Sequence, residues 1–251
     1  MTEFTIRIAG QTAGVQAIHA STKLFCETYL CNDTPDFLLT INEADIEFER
    51  YRSAQTDQAE GKPVRAFTDE YLETLALQRK LTEALYDRDT LLFHGSVVAV
   101  DGKGYLFTAK SGTGKSTHTR LWREAFGERA VMVNDDKPFL RVENGQVMAY
   151  GSPWNGKHGV GNNLCVPLQA ICFLQRAQQN VIRPIPAAQM LPVLMQQSQR
   201  PQNKAHFAKY LELIDALAGS VLFYQLGCNM EPEAAIIAYE GMRTGSCLRK
   251  E

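Results

Sequence analysis

The chain has 251 residues, 45% of them hydrophobic and 22% charged, and a formal net charge of −2, which suits a globular protein with a sizeable core. A near-neutral balance without a basic cluster speaks against a nucleic-acid surface, and no run nears the ~18–20 apolar residues of a membrane span. Met1-Thr2-Glu3-Phe4 has an acid where a signal peptide carries positive charge, and the six cysteines are scattered without metal or redox spacing, so the expectation is a cytoplasmic protein with reduced thiols.

From the N-terminus, Phe4, Ile6 and Ile8 alternate with polar residues, as do Ile46 and Phe48, and residues 37–41 form a short apolar run; all read as strands. Residues 52–65 are polar and aperiodic and read as an exposed loop. A helix is expected over 68–86, with Asp69 and Glu70 in its first turn and Leu77, Leu81, Ala84 and Leu85 on one face. Residues 1–88 therefore read as a β-rich region with one helix, and 89–251 as a separate domain. That domain opens with apolar residues 91–100, the turn Asp101-Gly102-Lys103-Gly104 and apolar residues 105–109, an antiparallel hairpin. A helix follows, with Leu121, Trp122, Ala125 and Phe126 on one face and an end near Gly127. Residues 130–133 read as a strand running into Asn134-Asp135-Asp136, and 139–142 and 147–150 as a hairpin around Asn144-Gly145. Glycine-rich 151–163 fits no element. Further strands are expected at 170–174, 181–185 and 221–226, and helices at 207–214 and 233–242. The fold class is α/β with a mixed sheet.

Between the hairpin and its helix stands AKSGTGKST, residues 109–117. A glycine loop leading into a helix offers backbone N–H groups to an anion, and the helix dipole adds favourable potential. Ser111, Gly112, Thr113, Gly114, Lys115, Ser116 and Thr117 are thus candidate phosphate binders, with Lys115 reaching the β and γ phosphates and the Ser116 hydroxyl on Mg²⁺. The pattern GxxxxGK[ST] departs at its first position, Ala109, which requires a negative φ there. Asp135-Asp136 ends the next strand. Phosphoryl transfer needs a carboxylate for Mg²⁺ and often a second to take the acceptor's proton. Neighbours at a strand end point apart and can divide these roles. His94, in the first hairpin strand, is either a catalytic neighbour or a structural histidine. Lys157 and His158 either close over the substrates or sit in a solvated loop, and Trp154 either packs on a substrate or anchors its own segment.

The order FHGSVVAVDGKGYLFTAKSGTGKST…VMVNDD resembles the catalytic domain of HPr kinase/phosphorylase and, more distantly, ATP-dependent phosphoenolpyruvate carboxykinase. The likeness spans about seventy residues around the glycine loop, and the N-terminal region and that family's C-terminal signature are not matched. The resemblance implies a P-loop kinase core entered from an antiparallel hairpin. It implies Asp135 as the proton-accepting base with His94 beside it, and Asp136 with Ser116 on Mg²⁺. The function expected is an ATP- and Mg²⁺-dependent kinase acting on a hydroxyl group of a small protein, a peptide or a metabolite, without nucleic-acid or membrane partners and with self-association open. The competing expectation is an ATP-binding sensor or accessory subunit without turnover. Simple nucleotide hydrolysis lacks a residue to orient water, and a carboxykinase would be a far longer chain.

Overall fold

β1 (Thr2–Ile8) and β2 (Gln11–Ala17) pair antiparallel, and after α1 (Ala20–Phe25) the short β3 (Phe37–Thr40) adds parallel to β2. In the computed structural model the described residues are 1–110 and 112–243, and the chain divides into two units, Met1–Leu85 and the part from Tyr86 onward. The first unit is completed by α2 (Glu43–Ala59) and α3 (Asp69–Tyr86). Its inward-facing Ile6, Ile8, Val15 and Leu39 are buried, the period-two pattern read from the sequence. Glu73, fully buried in α3, accepts the backbone N–H groups of Ile18 (2.5 Å) and His19 (3.0 Å) and the Thr22 hydroxyl. It thereby satisfies otherwise orphaned donors at the start of α1.

Three helices against three short strands make this unit mixed, not β-rich. The expected strand at Ile46 and Phe48 lies in the first two turns of α2, and part of the 52–65 stretch is its continuation to Ala59. The overriding signal is Asn42: its side chain accepts from Asp45 N–H while the Asp45 carboxylate accepts from Asn42 N–H, a reciprocal capping box that starts a helix.

The second unit contains β4 (Thr90–Leu92), β5 (Ser96–Val100), β6 (Lys103–Thr108), α4 (Lys115–Phe126), β7 (Ala130–Asn134), β8 (Phe139–Glu143), β9 (Gln146–Tyr150), β10 (Cys165–Arg176), β11 (Val181–Pro184), α5 (Ala187–Gln197), α6 (Phe207–Ser220), β12 (Leu222–Cys228) and α7 (Glu233–Arg243). They form a nine-stranded mixed sheet running β4-β8-β9-β10-β6-β5-β7, with β12 also on β10 and β11 on β12. The β5–β6 hairpin is antiparallel, with Asp101 and Gly102 both at positive φ in its turn, the backbone a tight hairpin requires. β10 runs parallel to both β6 and β12.

Side chains alternate between two cores. Val97, Ala99, Leu106 and Ile171 face a cluster with Met190 and Leu194 of α5 and Leu213 and Leu217 of α6. Val98, Val100, Tyr105, Phe107 and Cys172 face the other, with Trp122 of α4 and Ala234 and Ala238 of α7. Burial on both faces explains why these strands read as unbroken apolar runs. The expected single strand 91–100 is two: β4 pairs with β8, β5 with β6 and β7, and residues 93–95 lie between them. There the backbone N–H groups of Phe93, His94 and Gly95 go to the carbonyls of Pro138, Gln197 and Asp136. Gly95 is required in that break, since a Cβ would meet the Phe107 carbonyl oxygen at 3.0 Å and Leu106 Cδ2 at 2.9 Å.

No helix among the described residues is long and apolar enough to cross a membrane. The five described cysteines are free thiols, and Cys247 lies outside the described residues. Trp122 is fully buried and touches the rings of Tyr105 (4.9 Å), Phe107 (5.2 Å) and Phe126 (5.4 Å). Trp122→Ala is expected to cost about 3–5 kcal/mol, read as a drop in the urea midpoint of the full chain.

Candidate active site

The glycine loop leaves β6 at Ala109, which is fully buried and not among the four described non-glycine residues with positive φ. Alanine is therefore compatible with this first position. Ser111 lies outside the described residues. Gly112 and Gly114 take φ of 76° and 118°, a backbone that side-chain-bearing residues rarely adopt. α4 begins at once with Lys115-Ser116-Thr117, and its first turn carries no acidic residue, so its N-terminal N–H groups and dipole face outward uncompensated by a carboxylate. Arg176, at the end of β10, donates from Nη2 to the Gly112 carbonyl (2.6 Å) and holds the loop from behind. Burial pulls the Lys115 ammonium below its ordinary pKa, while Asp136 and, more weakly, Asp135 oppose that shift.

The two aspartates follow β7 and are directed apart by Asn134, itself fully buried. Asn134 Oδ1 accepts the N–H groups of Asp136 (2.8 Å) and Lys137 (2.6 Å), and its Nδ2 donates to Ser152 O and Oγ, both at 3.1 Å. Asp135 Oδ1 accepts from the Ser96 hydroxyl at 2.8 Å. Asp136 Oδ1 lies 3.1 Å from Lys137 Nζ and 3.3 Å from His94 Nε2. His94 thus touches Asp136, the neighbour of the aspartate beside which the resemblance set it. Burial, helped by the Lys137 and Lys115 charges and opposed by Asp136, lowers the His94 pKa to about 4, so the ring is neutral near neutral pH.

Residues 151–163 form no regular element, as expected, but they are tied at both ends: Gly151 N–H donates to Leu164 O (2.9 Å) and Asn162 N–H to Val133 O (3.1 Å). Trp154 is 6% exposed and meets Phe139 edge-on at 6.5 Å, so it anchors the segment. Gly156 crosses directly over Asp135, where a Cβ would stand 3.0 Å from its carbonyl oxygen and 3.4 Å from Oδ2. Lys157 and His158 are exposed. His158 lines a cavity of about 250 Å³ together with Ser116, Thr117 and Asp135, whereas Lys157 is not part of that lining.

On the adjoining flank of α4 a larger cavity of about 470 Å³ opens beside the loop, walled by Gly112, Thr117, His118, Leu174, Arg176 and Met230. It falls within the size range of small-molecule sites, with mostly apolar walls and a few polar groups. The residues that sequence reasoning missed are Asn134, Ser96, Ser152, Arg176 and His118. For Asn134 a signal existed, since Asn at a strand end offers its side-chain oxygen to the backbone two residues on. Ser96, Ser152 and Arg176 are brought in by long-range contacts, whereas His118 lies in α4 itself and bonds four residues on to Trp122.

His118 is 2% exposed and accepts at Nε2 the indole N–H of Trp122 (3.0 Å), while burial lowers its pKa to about 4. The unfolded chain takes up that proton first, near the ordinary value of 6.5. The stabilisation is therefore complete above about pH 6.5 and is lost as pH falls from there toward 4. His118→Gln keeps an acceptor for Trp122 without a titrating ring. The stability lost between about pH 7 and about pH 5, from urea midpoints, should be smaller in this variant by roughly 2 kcal/mol.

Residues 64–216 match the family described as SynChlorMet cassette protein ScmC. No curated protein matches the chain. Among solved structures, the Hpr(Ser) kinase/phosphatase from Coxiella burnetii is a distant structural relative, with 12% identity over 59% of this chain and 94% of that one and a TM-score of 0.36. No residue role passes across so loose a superposition. The family match, in contrast, extends over more than half of the 251 residues, and the chain belongs to the ScmC family.

Proposed function

We propose that this protein is an ATP- and Mg²⁺-dependent kinase that phosphorylates a hydroxyl acceptor. The observation that carries the reading is the meeting of Ser116, in the first turn of α4, with Asp135 in one cavity, while Lys115 is coupled to Asp136 from the same turn. The donor set fits the metal: a hydroxyl and one or two carboxylates are the hard oxygen ligands that Mg²⁺ takes together with phosphates. Among the described residues no three His, Cys, Asp or Glu side chains gather as a separate metal cluster. The helix N-terminus and its two positive-φ glycines fit a triphosphate, and the larger cavity on the Thr117–His118 side has room for the base and ribose. Bound Mg²⁺–ATP supplies the phosphoryl group and a divalent charge.

The chain's own residues do the rest by position and charge. Lys115 and the loop amides hold negative charge at the end of α4. Asp136 and Ser116 would hold Mg²⁺, which would supply divalent charge, and the link of Asp136 to Lys137 and neutral His94 fixes its orientation. Asp135 spends Oδ1 on Ser96 and keeps Oδ2 for the proton of the acceptor hydroxyl. The acceptor oxygen then bonds to the terminal phosphorus, the bond to the ADP oxygen breaks, and the proton rests on Asp135.

The test is Mg²⁺-dependent formation of ADP from ATP, with a metabolite extract and with a protein fraction supplied separately. Wild type should respond to one of them. Asp135→Asn should lower kcat by about 10²–10⁴-fold while nucleotide affinity stays within a few-fold. Lys115→Ala should instead weaken nucleotide binding itself. ATP binding without acceptor-stimulated ADP in either fraction would overturn the kinase reading in favour of a nucleotide sensor.

A further inference from the structure

Helix α4 presents two adjoining stripes. Gly114, Thr117, His118 and Leu121 line the larger cavity, and Ser116, Thr119, Arg120 and Arg123 line the smaller one, each set following the helical spacing of three and four. The smaller cavity also holds Asp135 and His158. It therefore has a carboxylate near the helix start and two guanidiniums further along. Arg123 lies eight residues beyond Lys115, a rise of about 12 Å, and helical side chains lean back toward the N-terminus. The arginines thus sit past the first turn of α4, on the wall of the cavity that Asp135 also lines.

The two arginines differ in their partners. Arg120 Nη1 is 2.6 Å from Glu124 Oε1, with both side chains half exposed, a pair of little strength that is easily exchanged. Arg123 has no carboxylate within ion-pair distance among the described residues, and its Nε is buried without a hydrogen-bond acceptor. Arg123 nonetheless lines the cavity, and a planar guanidinium is suited to carboxylate or phosphate oxygens. His158, from the 151–163 segment, also lines this cavity.

We infer that the smaller cavity is the acceptor subsite and that it selects a small alcohol bearing a carboxylate or phosphate group, with the hydroxyl at Asp135 and the anionic group on Arg123, assisted by Arg120. The inference rests on the kinase reading for the role of the hydroxyl, but the anion site itself is independent of turnover. A volume of about 250 Å³ is below the usual range for drug-sized ligands and suits a molecule of a few heavy atoms.

Calorimetric titration of the full-length chain tests it, using glycerate, glycerol 1-phosphate and neutral glycerol as probes, with and without Mg²⁺ and a non-hydrolysable ATP analogue. At least one anionic probe should bind and glycerol should not, and the carboxylate and phosphate arms show which group is preferred. Arg123→Gln should weaken that probe about 10–100-fold, Arg123→Lys should recover part of the loss, and the affinity for the ATP analogue should not change. Thermal melting confirms that both variants fold. The subsite is overturned if no anionic probe binds, if glycerol binds as well, or if Arg123→Gln has no effect. It is equally overturned if binding survives Arg123→Gln but vanishes in Lys115→Ala, since the anion is then on the glycine loop. Anion binding lost in Arg123→Gln with no ADP formed sustains the subsite and sinks the kinase reading. ADP formation with neutral acceptors alone does the reverse.

Discussion

A single buried amide organises the candidate site. Asn134 is the last residue of β7, and its side chain works at two ranges: Oδ1 accepts two backbone N–H groups of the next few residues, and Nδ2 makes two donations to Ser152, 18 residues on. Ser152 closes the ring by donating from Oγ to Lys137 O (2.6 Å). Such a network is stable only when complete, because each member left alone in the interior is an unmet polar group. Its effect is to bend the chain immediately after the strand. Asp135 then stays against Ser96 and the cavity, Asp136 faces His94 and Lys137, and the start of the 151–163 segment is tied to the same turn.

Around this turn the charges are nearly balanced. Lys115 and Lys137 face Asp135 and Asp136, and His94 is kept neutral by burial and by the two lysines. A charged His94 would leave three cations facing two carboxylates in a partly dry site, which the lowered pKa avoids. With these four charges compensated, the α4 N-terminus, whose first turn holds no acidic residue, adds positive potential of its own. The site's attraction for anions is therefore local, as befits a chain whose overall charge of −2 gives no long-range steering of negative ligands.

The hairpin, the loop helix and β7 were legible in the sequence because each announces itself locally: Asp101-Gly102 at the turn, Gly127 after the helix, an apolar run before Asn134. The first unit was less legible. Its β2 contains Gly14, whose Cβ would strike Leu38 and Pro35, so small residues stand where an apolar signal was sought. At Ile46 and Phe48 two alternating residues suggested a strand, yet the Asn42–Asp45 cap commits residues 43–59 to a helix. In the second unit α5 escaped notice because Pro192 lies inside it, and β10 extends beyond residues 170–174 through Pro167, which faces β9 at the sheet's antiparallel margin. The candidate residues themselves were found from motif and order. Their partners were not, since Ser96 with Asp135 and Arg176 with Gly112 are separated by 39 and 64 residues.

The helix that begins at Lys115 does more than end a loop. One of its flanks walls the larger cavity and the next walls the smaller, with Thr117 lining both. The two flanks adjoin at the helix N-terminus, where the backbone potential is most positive. The two cavities differ in chemistry: Leu174 and Met230 give the larger one apolar walls, whereas Arg120, Arg123 and His158 line the smaller one. The contrast is chemical as well as spatial, because an apolar slot rewards a planar base whereas paired guanidiniums reward a planar anion. Trp122 fixes the division. It is buried against Tyr105 and Phe107 and bonded to His118, so α4 cannot rotate to exchange one flank for the other without breaking the core beneath it.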